Sequence, residues 1–319
     1  MKNLRIVFLK PKQFTRFRIR DGFYSDETLF FIPSDTIYSL YLSKLLETDK
    51  KFKELNEKRD VEKIKEIVKN VPKISSAYPY IYDYKNKEIT FYLPLPIDLR
   101  FMKNKRIRKK MRSYNTFIPS KILENLLDEN INIEKNINIL DEINLKVETI
   151  TRNTINRISS LTVEGNLFSE KYIILYNNDQ KEIGYYFLIE ENEKTTEFLS
   201  NIKDFFEIRG IGSDKSVSRS VFNIKFNIDD LADTEINQLI EIVEKMRRNN
   251  YLLHSLILNE QTKDKVEYAK IRFLVIDGFS VYPIISDGSK LREYIDEPIV
   301  IPIRRRKSKK LSVRVFYGL

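Results

Sequence analysis

The apolar run Leu4–Leu9, broken only by Arg5, predicts a short strand. Pro33-Ser34-Asp35-Thr36 then opens a helix over 35–47, with Ser34 or Asp35 as its cap and Ile37, Leu40, Tyr41 and Leu45 on one face. A charged second helix is expected from Phe52 to Val71, stopped by Pro72. Ala77–Tyr82 and Glu88–Leu93 have the pattern of a hairpin turning through Lys85-Asn86-Lys87. The proline-flanked stretch 94–119 has no period and is expected to project from the fold. The Asn/Ile alternation over 130–139 fits strand and helix equally and stays unassigned.

The later pattern is sharper. Phe168–Tyr176 and Ile183–Glu190 predict a hairpin around Asn177-Asn178-Asp179, and the next helix, 193–207, turns Phe198, Leu199, Ile202, Phe205 and Phe206 inward. A strand at 221–228 alternates Phe222, Ile224, Phe226 and Ile228 with polar residues. Taken in order, strand 4–9, helix 35–47, hairpin 168–190, helix 193–207 and strand 221–228 spell βαββαβ, the ferredoxin-like plan of RNA-recognition folds. A helix over 229–247 packing Ile236, Leu239, Ile240 and Val243, with strands at Tyr251–Leu258 and Val266–Ile276, begins a second unit. The expectation is α+β, with two ferredoxin-like (RRM-like) domains. The first spans 1–228 with an insertion at about 50–165, and the second, smaller one spans 229–319.

Charge adds a partner class. The chain of 319 residues carries a formal +10, yet seven cations and no acid fall in 103–112 and six more in 304–310, so the remainder is slightly acidic. Concentrated charge of this kind favours a polyanion. Cysteine is absent, which excludes disulfides and thiolate sites. The N-terminal apolar run is too short and too charged for a signal peptide, and no stretch suits a membrane span, so a cytoplasmic protein is expected.

The chemistry concentrates in Arg209-Gly210-Ile211-Gly212-Ser213-Asp214-Lys215-Ser216-Val217-Ser218-Arg219-Ser220, between a helix and a strand. Glycine lets backbone N–H groups approach an anion closely, serine adds donors, and Arg209, Lys215 and Arg219 add charge; such a loop suits phosphates. Tyr78, Tyr80, Tyr82 and Tyr84 alternate in the predicted hairpin and have the spacing to stack bases, although a buried face accounts for them more simply. The aromatic RNP signature is absent.

Several segments resemble, in order, a known family. These are Pro33-Ser34-Asp35-Thr36-Ile37-Tyr38-Ser39-Leu40, the basic run ending in Phe117-Ile118-Pro119, Thr151-Arg152-Asn153-Thr154-Ile155-Asn156-Arg157 with Glu164-Gly165-Asn166-Leu167-Phe168, and Gly210-Ile211-Gly212-Ser213-Asp214-Lys215-Ser216. Tyr251–Leu258 and Lys270-Ile271-Arg272-Phe273 continue the likeness. The pattern is similar to the fourth Csm subunits, repeat-associated (RAMP) proteins of type III-A CRISPR effector complexes. Serines 213, 218 and 220 stand where that family has glycine, and the run 304–310 has no counterpart in it.

The resemblance implies a noncatalytic subunit that holds the 5′ handle of the CRISPR RNA, caps the backbone and joins the large polymerase-like subunit to the backbone RAMP subunit. It implies no cofactor, metal or membrane. The RNA-binding set it implies, together with the loop and the first basic run, is Ser34, Lys105, Arg106, Arg108, Lys109, Lys110, Arg152, Arg157, Arg209, Gly210, Gly212, Ser213, Lys215, Ser216 and Arg219. Two other readings stand beside it. One is a RAMP-family CRISPR RNA processing endoribonuclease, for which His254, the sole histidine, would be the acid or base, although its place in a predicted strand fits a structural role. The other is an RNA-independent assembly scaffold.

Overall fold

The computed structural model describes residues 4–12, 14–17, 28–58, 60–97, 116–128, 145–155, 162–176, 178–211, 221–226, 233–276, 280–304 and 311–319. Strands β1 (Leu4–Pro11) and β2 (Phe14–Phe17) precede three helices, α1 (Ser34–Thr48), α2 (Lys50–Lys58) and α3 (Val61–Lys69). β3 (Tyr78–Asp83), β4 (Glu88–Pro94), β5 (Phe117–Pro119) and helix α4 (Ser120–Leu127) come next. β6 (Lys146–Ile155), β7 (Thr162–Tyr176) and β8 (Lys181–Glu190) lead into α5 (Thr195–Asp204), which runs on as a π-helical turn (Phe205–Arg209) before β9 (Phe222–Lys225). The last third comprises α6 (Asp233–Arg248), β10 (Leu256–Ile257), β11 (Val266–Tyr268), β12 (Ile271–Ile276), β13 (Ser280–Ile285), β14 (Lys290–Leu291), β15 (Ile299–Arg304) and β16 (Leu311–Phe316).

The expected α+β architecture holds, built on one antiparallel sheet of order β5-β4-β3-β8-β1-β9. Its middle is two interlocked βαβ units: β1 and β3 flank β8 and are linked through helices 1 to 3, while β8 and β9 flank β1 and are linked through α5. That is the ferredoxin-like plan. The second strand of the plan, however, is Tyr78–Asp83, which falls inside the expected insertion. Phe168–Tyr176 does not fill that place: β7 pairs with β2 and β6 in a separate sheet, whereas β8 pairs with β1 and β3. Local periodicity identifies a strand but not its neighbour.

Other differences are local. The helix expected over 52–71 is two helices, with Asp60 Oδ1 accepting from Lys63 N at 3.2 Å to start the second. The strand expected at 251–258 keeps only β10, and that at 266–276 divides into β11 and β12, which join different sheets. Phe226 is exposed beyond the end of β9 and stacks under the Arg5 guanidinium at 5.0 Å. In α6 the buried residues are Leu239, Ile242, Val243 and Met246, a stripe rotated from the expected one; Ile236 and Ile240 are only partly covered.

Both faces of the sheet are buried. On one side Val7, Leu9, Tyr185, Phe187 and Phe222 meet helices whose Tyr38 and Phe198 pack 5.9 Å apart. On the other, Phe8, Tyr78, Tyr80, Phe91 and Tyr186 form a continuous aromatic cluster, with Phe91 and Tyr186 edge to face at 4.9 Å. Gly184 is required there, since a Cβ would lie 2.7 Å from the Tyr80 ring. Of the tyrosine series, Tyr78, Tyr80 and Tyr82 are therefore core, and Tyr84 is partly buried with its hydroxyl donating to Glu182 Oε2 at 2.7 Å. This second face is the one RNA-recognition folds use for base stacking, and it is closed. A smaller core gathers Leu252, Leu256, Ile284, Ile285, Leu291 and Phe316 around β10, β13 and β16.

A buried polar seam joins the last third to the sheet and to α1. Pro33 occupies the cap position and no side chain caps α1, so neither Ser34 nor Asp35 has the role expected of it. Ser34 donates its N–H to Ser76 Oγ, and its own Oγ accepts from Ser255 N, both at 3.1 Å. Asp35, 1% exposed, accepts from the buried Arg272 guanidinium at 2.9 Å, while Arg314 donates to Ser39 Oγ at 2.7 Å and lies 3.5 Å from Asp35 Oδ2. Tyr78 closes the seam, its one hydroxyl proton lying within hydrogen-bond reach of both Leu253 O at 2.8 Å and Asp287 Oδ2 at 2.5 Å. Replacing one member of a buried pair strands the other. Asp35→Ala is expected to cost about 3–5 kcal/mol by leaving Arg272 charged and unpaired, read from the shift of the urea midpoint at constant m-value. A cost below about 1 kcal/mol would show that the seam contributes nothing net.

Candidate nucleic-acid interface

The candidate loop begins where α5 changes its winding. Phe205 and Phe206 are buried, the latter against Phe222 at 6.2 Å, and the extra residue of the π-helical turn brings Arg209 to the surface. Gly210 follows with φ 76°, a left-handed value that admits glycine and strains other residues. Ile211, fully buried, then plugs the chain back into the core. Gly212, Ser213, Lys215, Ser216 and Arg219 lie outside the described residues.

Arg209 is not free for phosphate. Its NH1 and NH2 donate to Glu47 at 2.7 and 2.9 Å, its Nε pairs with Asp204 at 2.8 Å, and its guanidinium stacks on the Phe205 ring at 4.8 Å. Hydrogen bonding to Arg209 holds the Glu47 carboxyl below its usual range. Periodicity missed Glu47 and Asp204, yet a signal was present: Glu47 stands in the last turn of α1, where the helix dipole disfavours an acid unless a cation compensates it. The same π-helical turn also holds the returning strand, because Glu207 Oε1 accepts from Ile224 N at 3.1 Å.

Ser34 is withdrawn from any interface by complete burial and by its place in the seam. Arg152 lies in β6 opposite Phe168 of β7, and Arg157 lies outside the described residues. So do Lys105, Arg106, Arg108, Lys109 and Lys110, although both ends of their segment are placed. Leu95 N donates to Thr116 O at 3.1 Å, Ile97 N donates to Gly288 O at 2.8 Å, and the buried Lys270 ammonium donates to Leu95 O. Burial lowers the Lys270 pKa to about 7. The segment thus leaves from the β4–β5 edge of the sheet and the loop from the β9 edge, with four strand spacings, about 20 Å, between β4 and β9. The structure does not gather the two cationic elements into one patch at their roots.

His254 is 2% exposed, with Nδ1 2.8 Å from Leu319 O and its ring edge to face with Tyr294. The Gly318 backbone presses so close that a Cβ there would lie 2.5 Å from His254 Cβ. Among the described residues no His, Cys, Asp and Glu group is arranged to hold a metal, and no helix is long and apolar enough to cross a membrane.

No protein-family model matches the sequence. The chain is similar to the CRISPR system protein Csm4 of Methanocaldococcus jannaschii, 25% identical over a gapped alignment of 314 positions that covers 84% of this chain and 78% of that protein. In fold it is similar to a chain of the crystal structure of a Csm1–Csm4 cassette in complex with cA4, with a TM-score of 0.51, 17% identity and coverage of 99% of this chain and 96% of the other. The resemblance read from the ordered motifs thus extends along the greater part of the sequence.

Burial lowers the His254 pKa from 6.5 to about 4. Between those values the unfolded chain binds a proton that the folded chain refuses, so stability rises with pH across this window and is lost on acidification. The full difference is about 3 kcal/mol. In denaturant melts at pH 4.5 and 7, His254→Gln is expected to lose less stability on acidification than the parent. Equal losses in the two proteins would mean that His254 is protonated in the folded state.

Proposed function

We propose that the chain is a noncatalytic subunit of a type III CRISPR effector complex, of the III-A subtype and cytoplasmic. In this reading it grips the 5′ handle of the CRISPR RNA and caps the backbone, between the large polymerase-like subunit and the first backbone RAMP subunit. The observation that carries it is the similarity to Csm4 over 84% of the chain; the glycine and serine loop is among the segments whose order in the sequence resembles that family.

Physical chemistry supports the same reading. With the stacking face of the sheet closed by its own aromatics, RNA has to be met at the margins, where the sequence concentrates glycine, serine and cations. Backbone amides around Gly210 and Gly212 approach phosphates while Lys215 and Arg219 neutralise them, and the 103–112 run, whose segment is rooted about 20 Å away at the β4–β5 edge, adds a second cationic contact. A noncatalytic role is supported by the burial of His254 and its engagement with Leu319 O.

Purification with the products of neighbouring genes, followed by sequencing of the bound RNA, tests the reading. Small RNAs sharing a constant 5′ end are expected; assembly that is salt-sensitive yet free of RNA favours a scaffold. For the isolated interaction, log affinity is expected to fall with log salt by about 0.7 per phosphate neutralised. Gly212→Val is expected to weaken capture at an unchanged slope, because it blocks approach without removing a cation. Lys215→Ala with Arg219→Ala is expected to weaken it and lower the slope by about one or more. Folded variants of both kinds that bind like the parent would relegate the loop to a connection.

A further inference from the structure

We infer that the Phe205–Arg209 turn is a clasp for the loop, and that Arg209, Glu47 and Asp204 act in RNA capture as positioning residues without touching RNA. The inference rests on the reading that the loop holds RNA phosphates, and it deepens that reading.

Three observations converge on the two points where the loop leaves and rejoins the fold. The departing end is held by the Arg209 fork on Glu47, by the Arg209 to Asp204 bond and by the stack on Phe205. Immediately afterwards Gly210 reverses the chain at φ 76° and Ile211 is buried, so the direction of departure is set within three residues. The returning end is held by the same turn, through the bond from Ile224 N to Glu207 Oε1. Lys12 Nζ, from just after β1, donates to Glu207 O at 3.2 Å and pins the turn to the sheet. A five-residue turn therefore fixes the separation and direction of both loop ends.

The charges argue against direct contact. A phosphate would have to displace a bidentate carboxylate and a second carboxylate from one guanidinium, trading charge-assisted bonds already in place for similar ones. Glu47, Asp204 and Glu207 also repel RNA by their sign. Carboxylates beside an anion-binding loop help only through geometry: a loop held in its bound shape loses less freedom on binding.

This gives a test whose sign separates the two roles. Removing negative charge near bound RNA should by electrostatics tighten binding, and freeing Arg209 as a phosphate contact should do the same. The clasp predicts the reverse: Glu47→Gln with Asp204→Asn should weaken capture of handle-bearing RNA by about tenfold at an unchanged salt slope. Arg209→Lys, which keeps the charge and loses the fork, should weaken it similarly. Tighter or equal binding by the double variant, or a slope lowered by about 0.7 in Arg209→Ala, overturns the proposal.

Amide exchange at Ile211 and Ile224 without RNA gives an independent readout, in proteins whose melting temperature matches the parent. The clasp predicts faster exchange at both sites in the double variant and in Arg209→Lys. Unchanged exchange overturns it whatever the RNA result. Faster exchange in a protein whose parent captures no RNA keeps the clasp and discards the RNA-binding reading instead.

Discussion

The buried ion pair between Asp35 and Arg272 is the constraint on which the arrangement of this molecule depends. Two charges removed from water are tolerable when each supplies the other's counterion and most of the remaining lone pairs and protons are bonded; in this pair Arg272 Nε is buried without a partner. Here the partners are 237 residues apart in sequence, so the pair forms only when α1 and β12 are both in place. Around it Ser34, Ser76, Ser255 and Arg314 bond neighbouring groups, so that α1, the linker before β3, the residue before β10, β12 and the last hairpin all meet around Ser34 and Asp35. Such a seam is intolerant of slippage: moving any of these elements by one residue leaves a charge in a dry site.

With its first turn fixed in that seam, α1 runs 15 residues, about 22 Å, to a second fixed point at Glu47. The helix is thus bonded at its start to the last third of the chain and near its end to the root of the candidate loop. Between these points its apolar face, Ile37, Leu40, Tyr41 and Leu45, packs against α5 and the sheet. The geometry of the loop root and that of the C-terminal strands are therefore referred to the same rigid element, while the aromatics that close the far side of the sheet leave the margins for other molecules.

Much of this was legible in the sequence where the information is local. The inward stripes of α1 and α5, the hairpin from Tyr78 to Pro94 and the alternation of Phe222 and Ile224 follow from spacing alone. What was not legible depends on partners distant in the chain. Periodicity marked Phe168–Tyr176 as a strand and could not say that it leaves the main sheet, so the second strand of the fold was sought in the wrong place. Ser34 and Asp35 carry the composition of a helix cap, and only the three-dimensional position of Arg272 and Ser255 gives them different work. Arg209 counted as a free cation because the carboxylates that claim it lie on another helix turn and on α1. Of the candidate RNA contacts, Gly210 is placed where its residue type is needed, Ser34 is buried, and Arg209 is paired.

The second basic run is rooted differently from the first. β15 and β16 pair in register from Ile299 opposite Phe316 to Arg304 opposite Leu311, as a two-stranded ribbon of their own, and the six residues 305–310 join them. The end of the ribbon away from that connection enters the core, through Ile299, Val315 and Phe316, and Tyr317 and Leu319 beyond it are buried as well. A ribbon of this kind can grow or shrink by matched pairs, one residue on each strand, two at a time to keep the same side chains inward, without altering the seam or either core. Its length and charge can therefore vary at little cost to the described cores. Among proteins of this fold the ribbon is a place where lineages can diverge in what they touch while the scaffold beneath stays the same.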